Sequence, residues 1–276
     1  MPNQFRWLCA VQKFHARRLQ AWPFGRPCMK ISIITAVYNR AETVGHAIRS
    51  VASQDYLALE HLLVDGASTD GTLSAVEALR HPAMHVVSEP DEGIYDALNK
   101  GVGLATGDVI GLVHSDDFLA HEGVLTSVAK AFANPSVDAV YGDLDYVAAQ
   151  DPSVVMRRWR AGNFSQRKLR WGWMPPHPAL FIRRQVIENH GAYNTDFRIA
   201  ADYDAILRWF GRGQVCAAYI PEVLVKMRVG GESNRSLGQI IRKSREDYRA
   251  LRSNNMGGLG ALAMKNVSKL PQFFIQ

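Results

Sequence analysis

The feature that most constrains the fold is an alternation of short apolar runs with amphipathic stretches, which begins at Ile31. The run ISIITAV at 31–37 is apolar and rich in β-branched residues, so it predicts a buried strand. A stretch at 41–53 carries Val44, Ala47, Ile48 and Val51 on one face and predicts a helix. The pattern continues with strands predicted at 61–65, 84–89 and 108–114 and helices at 70–80, 94–105 and 121–133. This order predicts an α/β fold of βαβ units, Rossmann-like, with helices on both faces of a mostly parallel sheet.

The alternation breaks after about residue 136. The remaining sequence predicts strands at 139–147, 154–160 and 178–184 in a small mixed sheet, then helices at 202–210, 236–252 and 258–270. We therefore expect a basic N-terminal extension at 1–29 outside the fold, one domain at 30–230, and a basic helical segment at 231–276.

The charge of the chain is concentrated at its two ends. The net charge is +6, yet residues 1–28 and 232–276 each carry +5, which leaves −4 for the 203 residues between them. Basic ends suit an anionic membrane surface, and we expect peripheral membrane contact as an open alternative to plain solvated charge. An acidic centre would repel a phosphate backbone, so we expect no nucleic-acid partner.

Cysteine use and hydropathy bear on the compartment. Cys9, Cys28 and Cys216 lack metal-ligand spacing and show no paired framework, which indicates a reducing compartment. Since no run of about 18 apolar residues is present, no spanning helix is predicted. We expect a cytoplasmic protein, with any membrane contact at the inner face of the cytoplasmic membrane.

Polar residues follow four predicted strands where each strand ends. They are Tyr38 with Asn39, then Asp65, then Glu89 with Asp91, and finally Asp116 with Asp117. The carboxyl ends of parallel strands meet at one edge of a sheet, and ligands bind there at the switch point in strand order. The sequence therefore predicts a binding crevice at this edge.

The chemistry of these strand ends has open alternatives. Asp65, in LLVDGASTDGT, either accepts a hydrogen bond from a nucleotide or shapes a turn with Ser68 and Asp70. Asp116 and Asp117 either hold Mg²⁺ or Mn²⁺ or cap the next helix. Dinucleotide and P-loop phosphate sites are excluded, because the first turn, YNRAETVG, lacks a glycine cluster.

The chain carries four motifs in this order: SIITAVYNR, LLVDGASTDGT, SEPDEGIYDALNKG and LVHSDD. With these motifs it resembles glycosyltransferase family 2, whose inverting members have the GT-A fold and use nucleotide sugars. The resemblance covers roughly 30–230 and is closest to bacterial exopolysaccharide, capsule, colanic-acid and O-antigen enzymes. It implies transfer from a nucleoside-diphosphate sugar, with UDP expected ahead of GDP, to a glycan or polyprenyl-linked acceptor. It also implies Mn²⁺ or Mg²⁺ as cofactor.

The resemblance implies a role for individual residues. Asp202, in FRIAADYDAILRWF, stands where the family has its catalytic base, although a helix cap is a compatible role. Asp117 is expected as the main metal ligand with Asp116 assisting. The expected donor contacts are Thr35, Val37, Tyr38, Asp65, Asp91 and Asp116. On the acceptor side we expect His177, Asp204 and Trp173.

Two positions depart from the common family pattern. His114 stands where many relatives have an acid, and Leu98 stands where an arginine is common. A nucleotidyltransferase remains an alternative, although a basic, glycine-rich phosphate loop is missing after the first strand. A catalytically inactive nucleotide-sugar-binding protein is the other alternative, and it would be indifferent to Asp202→Asn.

Overall fold

The computed structural model describes residues 29–213, 215–229 and 237–267, apart from the side chain of Leu237. The strands are β1 (Ile31–Val37), β2 (Leu59–Asp65), β3 (Met84–Ser88), β4 (Val109–Leu112), β5 (Phe118–Leu119), β6 (Ala139–Val147), β7 (Val155–Trp159), β8 (Leu180–Arg183) and β9 (Ala217–Arg228). The α-helices are α1 (Val44–Ala52), α2 (Thr72–Glu77), α3 (Ile94–Leu104), α4 (Val124–Phe132), α5 (Gln166–Arg170), α6 (Arg184–His190), α7 (Ala201–Ile206), α8 (Leu237–Ser253) and α9 (Leu259–Val267). A 3₁₀ turn at His177–Ala179 precedes β8, and a π-helical stretch at Leu207–Arg212 continues α7.

The predicted parallel sheet is confirmed in the first half of the chain. The strands stand in the order β3-β2-β1-β4, and all three neighbouring pairs are parallel. Successive residues of β1 point to opposite faces, so Ile33 packs with α1 and α4 while Ile34 packs with α3. Helices therefore cover both faces of this half, as the apolar pattern predicts.

The mixed strands continue the same sheet. Within the described residues one nine-stranded sheet runs β3-β2-β1-β4-β8-β6-β9-β5, with β7 paired to β6. The predicted small mixed sheet is therefore an extension of the parallel one. The long strand β9 was not predicted, because the exposed Pro221 and Glu222 interrupt its apolar pattern. The register between β6 and β9 shifts near Asp143, which accommodates that interruption.

The strand order places the switch point between β1 and β4. From β1 the chain moves outward to β2 and β3, and then returns to the other side of β1 with β4. The loops after β1 and β4 therefore leave the same edge and diverge, which opens a crevice between them. Tyr38 begins the first loop, and His114, Asp116 and Asp117 lie in the second.

The C-terminal helices pack against the domain. Ala250 and Leu251 of α8 are fully buried in the same apolar cluster as Ile206 and Trp209 of the α7 region. The predicted helix at 236–252 is confirmed, and the helix predicted at 258–270 is confirmed as far as Val267. The predicted N-terminal extension lies outside the described residues, except for Met29.

The structure bears on two expectations, the absence of a membrane-spanning helix and the absence of paired cysteines. None of the helices in the described part of the chain is long and apolar enough to cross a membrane. Cys216 is disulfide-bonded, so the expectation of unpaired cysteines is wrong at this residue. Cysteine spacing therefore no longer supports a reducing compartment.

Candidate active site

A cleft of about 1110 Å³ opens at the switch point. The ends of β1 and β4 form its floor, α3 forms one wall, and the β6–β7 hairpin, the segment before α7, α8 and α9 form the others. Seven of the residues predicted from the sequence line it: Val37, Tyr38, Asp91, Asp116, Asp117, His177 and Asp202. Residues far apart in the chain thus meet in one cavity.

Asp117 is held by the last residue of β9. Its Oδ1 accepts a hydrogen bond from the backbone N–H of Arg228 at 3.1 Å, and its Oδ2 is buried without a partner among the described residues. Only 1% of Asp117 is exposed. Burial raises the pKa of Asp117 well above its usual range, and the neighbouring Asp116 carboxylate adds to this while Arg228 opposes it. The charged form of Asp117 therefore gains from a nearby cation.

Asp116 is the more open of the two carboxylates. It is half-buried and lines the cleft, and its main-chain oxygen accepts a hydrogen bond from Arg228 Nη1 at 2.6 Å. Arg228 also contacts His46 of α1 and lies over the ring of Phe118. Arg228 is therefore a buried residue that supports the acidic loop, the segment that carries Asp116 and Asp117.

Asp202 is the second residue of α7 and faces the cleft. Its Oδ1 accepts from the backbone N–H of Tyr203 at 2.7 Å and lies 3.4 Å from the hydroxyl of Tyr95. Burial lowers the pKa of His114, while the charges of Asp116 and Asp202 both act to raise it. The negative charges of Asp116 and Asp202 therefore both act on His114, which lines the same cleft.

His177 lines the cleft with a buried, neutral imidazole. Its Nε2 pairs with the hydroxyl of Tyr193 at 2.9 Å, and its ring lies 6.1 Å from that of His114. Burial, opposed by Asp202 and assisted by His114, lowers the pKa of His177 to about 4. This packing favours a supporting role behind His114.

The acidic loop fits a divalent cation that is shared with a substrate. No group of three or more His, Cys, Asp or Glu side chains able to hold a metal occurs among the residues described. Mg²⁺ and Mn²⁺ at nucleotide sites commonly use only one or two carboxylates and take their other ligands from phosphates and water. The open carboxylate of Asp116 and the unpartnered Oδ2 of Asp117 supply such oxygens.

Two predicted donor contacts lie beneath the cleft surface. Asp65 is fully buried, and its Oδ2 accepts from the N–H of Ser68 and the hydroxyl of Ser88. Thr35 is also fully buried and pairs with His61 at 3.0 Å. Neither is among the residues that line the cleft, and the hydrogen bond from Ser68 to Asp65 agrees with the turn-shaping alternative. The nucleotide contact of Asp65 stays a prediction.

Two predicted acceptor contacts are not brought into the cleft. Asp204 points away from it, because Arg208 binds its Oδ2 at 2.8 Å and Asn254 binds its Oδ1 at 2.8 Å. The indole of Trp173 donates to the carbonyl of Ala161 and packs on aromatic neighbours. Neither side chain is among the residues that line the cleft, so their acceptor roles stay predictions without support from this placement.

Sequence reasoning missed three cleft residues. Tyr95 lies inside the quoted motif SEPDEGIYDALNKG, yet nothing local marks its hydroxyl as a contact of the segment before α7. Tyr146 and Arg157 come from neighbouring strands, with the guanidinium 4.3 Å above the ring. A cross-strand pair of this kind leaves no spacing signal in the sequence.

The comparisons with known proteins agree on one family. The model of glycosyl transferase family 2 matches residues 32–191. A PGL/p-HBAD biosynthesis glycosyltransferase of Mycobacterium bovis is 33% identical over 213 residues, which is 74% of this chain and 78% of that relative.

Two solved structures share the fold at low identity. The mannosyltransferase PcManGT from Pyrobaculum calidifontis, in complex with GDP-Man and Mn²⁺, superposes with a TM-score of 0.64 at 24% identity, covering 88% of this chain and 71% of its own. Residues 1–349 of TarS from S. aureus, in complex with UDP-GlcNAc, give a TM-score of 0.63 at 18% identity, covering 82% and 65%. The predicted GT-A architecture is confirmed.

Proposed function

This chain belongs to glycosyl transferase family 2, and from that premise we propose that it moves a sugar, with inversion, from a nucleoside-diphosphate sugar to a hydroxyl of a growing glycan. The observation that carries the proposal is that Asp116, Asp117 and Asp202 all line one cleft, although they come from distant parts of the chain. The carboxylate of Asp116 is suited to the diphosphate side of the reaction, and that of Asp202 is suited to the acceptor side.

In the proposed step, the carboxylate of Asp202 takes the proton of an acceptor hydroxyl, which requires hydrogen-bond reach. The acceptor oxygen forms a bond to the anomeric carbon from the face opposite the diphosphate. The bond from that carbon to the diphosphate oxygen breaks, and its electron pair leaves with the nucleoside diphosphate. Asp202 is half-buried and lines the cleft, which supports this role.

We propose that Asp116 presents the main metal-binding carboxylate and that Asp117 backs it with Oδ2, which reverses the emphasis predicted from the sequence. The open position of Asp116 and the pairing of Asp117 Oδ1 with Arg228 support this order. When bound, Mn²⁺ or Mg²⁺ would supply charge compensation for the diphosphate. The Mn²⁺ in the PcManGT complex supports the choice of ion.

The donor side of the cleft is proposed to be the wall formed by Val37, Tyr38 and Asp91. Tyr38 is 56% exposed and is suited to stack on a nucleotide base. Its loop is fixed, because the N–H of Asn39 donates to Ser68 Oγ and Asn39 Oδ1 accepts from the N–H of Thr69. UDP remains the expected nucleotide ahead of GDP, and PcManGT and TarS bind one of each.

The acceptor is proposed to be a bacterial surface glycan or its polyprenyl-linked precursor. The outward face of α8 supports contact with an anionic membrane, because Ile241, Arg245, Tyr248 and Arg252 follow one another at helical spacing and are exposed. The acids of α8, Glu246 and Asp247, are buried on its other side. We place this contact at the inner face of the cytoplasmic membrane and expect sedimentation with phosphatidylglycerol vesicles but not with phosphatidylcholine vesicles.

The test of the reaction separates binding from transfer. Binding of UDP-sugars and GDP-sugars is measured with and without Mn²⁺ for the wild type, Asp116→Asn and Asp202→Asn. We expect Asp202→Asn to bind donor normally and to lose transfer by about 10²–10⁴-fold. We expect Asp116→Asn to lose the metal-dependent part of donor binding. Asp151→Asn, an exposed carboxylate outside the cleft, is the matched control.

The outcomes distinguish the alternatives. Normal donor binding with no transfer in the wild type, over a panel of acceptors, would favour the inactive sugar-nucleotide-binding protein. Release of pyrophosphate from a nucleoside triphosphate with a sugar phosphate would favour a nucleotidyltransferase. Absence of nucleotide binding with any metal would contradict the proposal altogether.

A further inference from the structure

The main chain that leads into α7 is held from two sides by other helices. The backbone N–H groups of Ile199 and Ala200 both donate to Glu246 Oε2 of α8, at 2.8 and 3.0 Å. The carbonyl of Ile199 accepts from the hydroxyl of Tyr95 of α3, at 2.9 Å. These contacts form a clamp, defined by Tyr95, Ile199, Ala200 and Glu246, on the entry to α7.

Glu246 gives part of the support that a side-chain cap would give to the start of α7, because it accepts from the N–H of Ala200 and of Ile199 before it. Ala200 is the N-cap residue and makes no side-chain capping hydrogen bond. The first N–H groups of a helix have no partner within the helix and require an external acceptor. Glu246 is only 9% exposed and supplies a carboxylate from a helix that begins about 40 residues later in the chain. The hydrogen bonds to it are therefore charge-assisted and largely shielded from water.

The clamp acts directly next to the proposed base. Asp202 lies two residues after Ala200, and the Tyr95 hydroxyl that binds Ile199 is also 3.4 Å from Asp202 Oδ1. A shift of the α7 entry would move this carboxylate relative to an acceptor in the cleft. Displacements of about 1 Å at reacting groups reduce rates by about 100-fold.

We propose that Tyr95 and Glu246 are positioning residues that fix Asp202 for proton transfer, an inference that rests on the proposed function of Asp202 as the base. The basic C-terminal segment then contributes to catalysis, because Glu246 of α8 holds the main chain next to Asp202.

The alternative is that both residues only stabilise the fold. A purely structural role predicts a lower melting temperature with unchanged turnover of the folded fraction. A positioning role predicts a lower kcat at a donor Kd that stays the same. The experiment therefore measures melting temperature, donor Kd, and kcat and KM for the acceptor on the full chain with UDP- or GDP-sugar and Mn²⁺.

Four variants make the test. Tyr95→Phe removes only the hydroxyl, Glu246→Ala removes the acceptor, and Glu246→Gln keeps an oxygen acceptor in its place. We expect kcat to fall about 10- to 100-fold in Tyr95→Phe and Glu246→Ala, and Glu246→Gln to recover most of it. Donor Kd should stay within about twofold in all three, because the clamp does not touch the acidic loop. Glu77→Ala, an exposed change on α2 outside the cleft, is the control and should leave kcat unchanged.

The outcomes distinguish a failure of the clamp from a failure of the proposal that Asp202 is the base. The clamp alone would be overturned if Asp202→Asn loses kcat while Tyr95→Phe and Glu246→Gln keep the wild-type kcat. In that case Glu246→Ala would show only a lower melting temperature. Full kcat in Asp202→Asn would overturn the base assignment and the clamp with it. If Glu246→Ala does not fold, Tyr95→Phe decides, because it preserves the packing of the ring.

Discussion

The backbone N–H of Arg228 donates to the carboxylate of Asp117 at 3.1 Å, so the end of β9 fixes the acidic loop that follows β4. The guanidinium of the same residue binds the main-chain oxygen of Asp116 and the ring of His46. One buried arginine thus joins three separate parts of the chain at the metal side of the cleft.

We expect Arg228→Ala to lower the free energy of unfolding by about 1–3 kcal/mol and to weaken metal-dependent donor binding by about tenfold. The reason is that the oxygen of Asp116 loses a charged donor and the loop loses its support. Chemical unfolding and calorimetric titration of the donor measure the two effects. Lys226→Ala, a half-buried change on the same strand, is the matched control. Unchanged donor affinity in Arg228→Ala would contradict the support of the acidic loop by Arg228.

Asp204 and Asp202 are expected to respond in opposite ways. Asp204→Ala leaves the half-buried Arg208 and the buried Asn254 without their shared partner, so we expect a loss of about 3–5 kcal/mol in unfolding free energy. Donor affinity of the folded protein should not change. Asp202→Asn should show the reverse, with normal stability and lost transfer. A strong rise in the KM for the acceptor in folded Asp204→Ala would restore the predicted acceptor contact of this residue.

Lys265 of α9 forms a buried ion pair that holds the two C-terminal helices together. Its Nζ lies 2.7 Å from Asp247 Oδ1 and 3.2 Å from the centre of the Tyr203 ring. We expect Lys265→Met alone to cost about 3–5 kcal/mol, because it leaves buried Asp247 with Lys243 as its one remaining ion-pair partner among the described residues. The double variant Lys265→Met with Asp247→Leu should be less destabilised than the sum of the single changes. Strict additivity in denaturant unfolding would show that the pair is not coupled.

The stability of the domain is expected to fall in mild acid because of His61. Burial, assisted by the nearby His81, lowers the pKa of His61 from 6.5 to about 3. The unfolded chain therefore takes up a proton at His61 below about pH 6.5, and the folded chain does so only near pH 3, so stability decreases as the pH falls through this window. His61→Gln should flatten this part of a curve of unfolding free energy against pH. An equally steep curve in the variant would assign the effect to other groups.

Local sequence patterns predicted the first half of the fold closely. β1 and β6 have the predicted bounds, and the ends of α1, α3 and α4 differ from the prediction by at most three residues. These elements have regular apolar periodicity because each is buried on one or both faces. β9 escaped prediction because Pro221 and Glu222 stand in its middle, and its pairing to β6 tolerates them through a register shift.

The sequence by itself determined the α/β class, the parallel sheet and the family, since these depend on periodicity and on motifs within short stretches. It also selected Asp116, Asp117 and Asp202 as residues of one site. Only the tertiary structure decided how those side chains are used, because that depends on contacts between distant residues. The N–H of Arg228 binds one oxygen of Asp117, and Arg208 and Asn254 bind both oxygens of Asp204. Glu246 of α8 accepts hydrogen bonds from the main chain that leads into α7. A hydrogen bond between residues separated by 46 or 111 positions requires the folded chain to bring them within about 3 Å, and no local pattern encodes that approach.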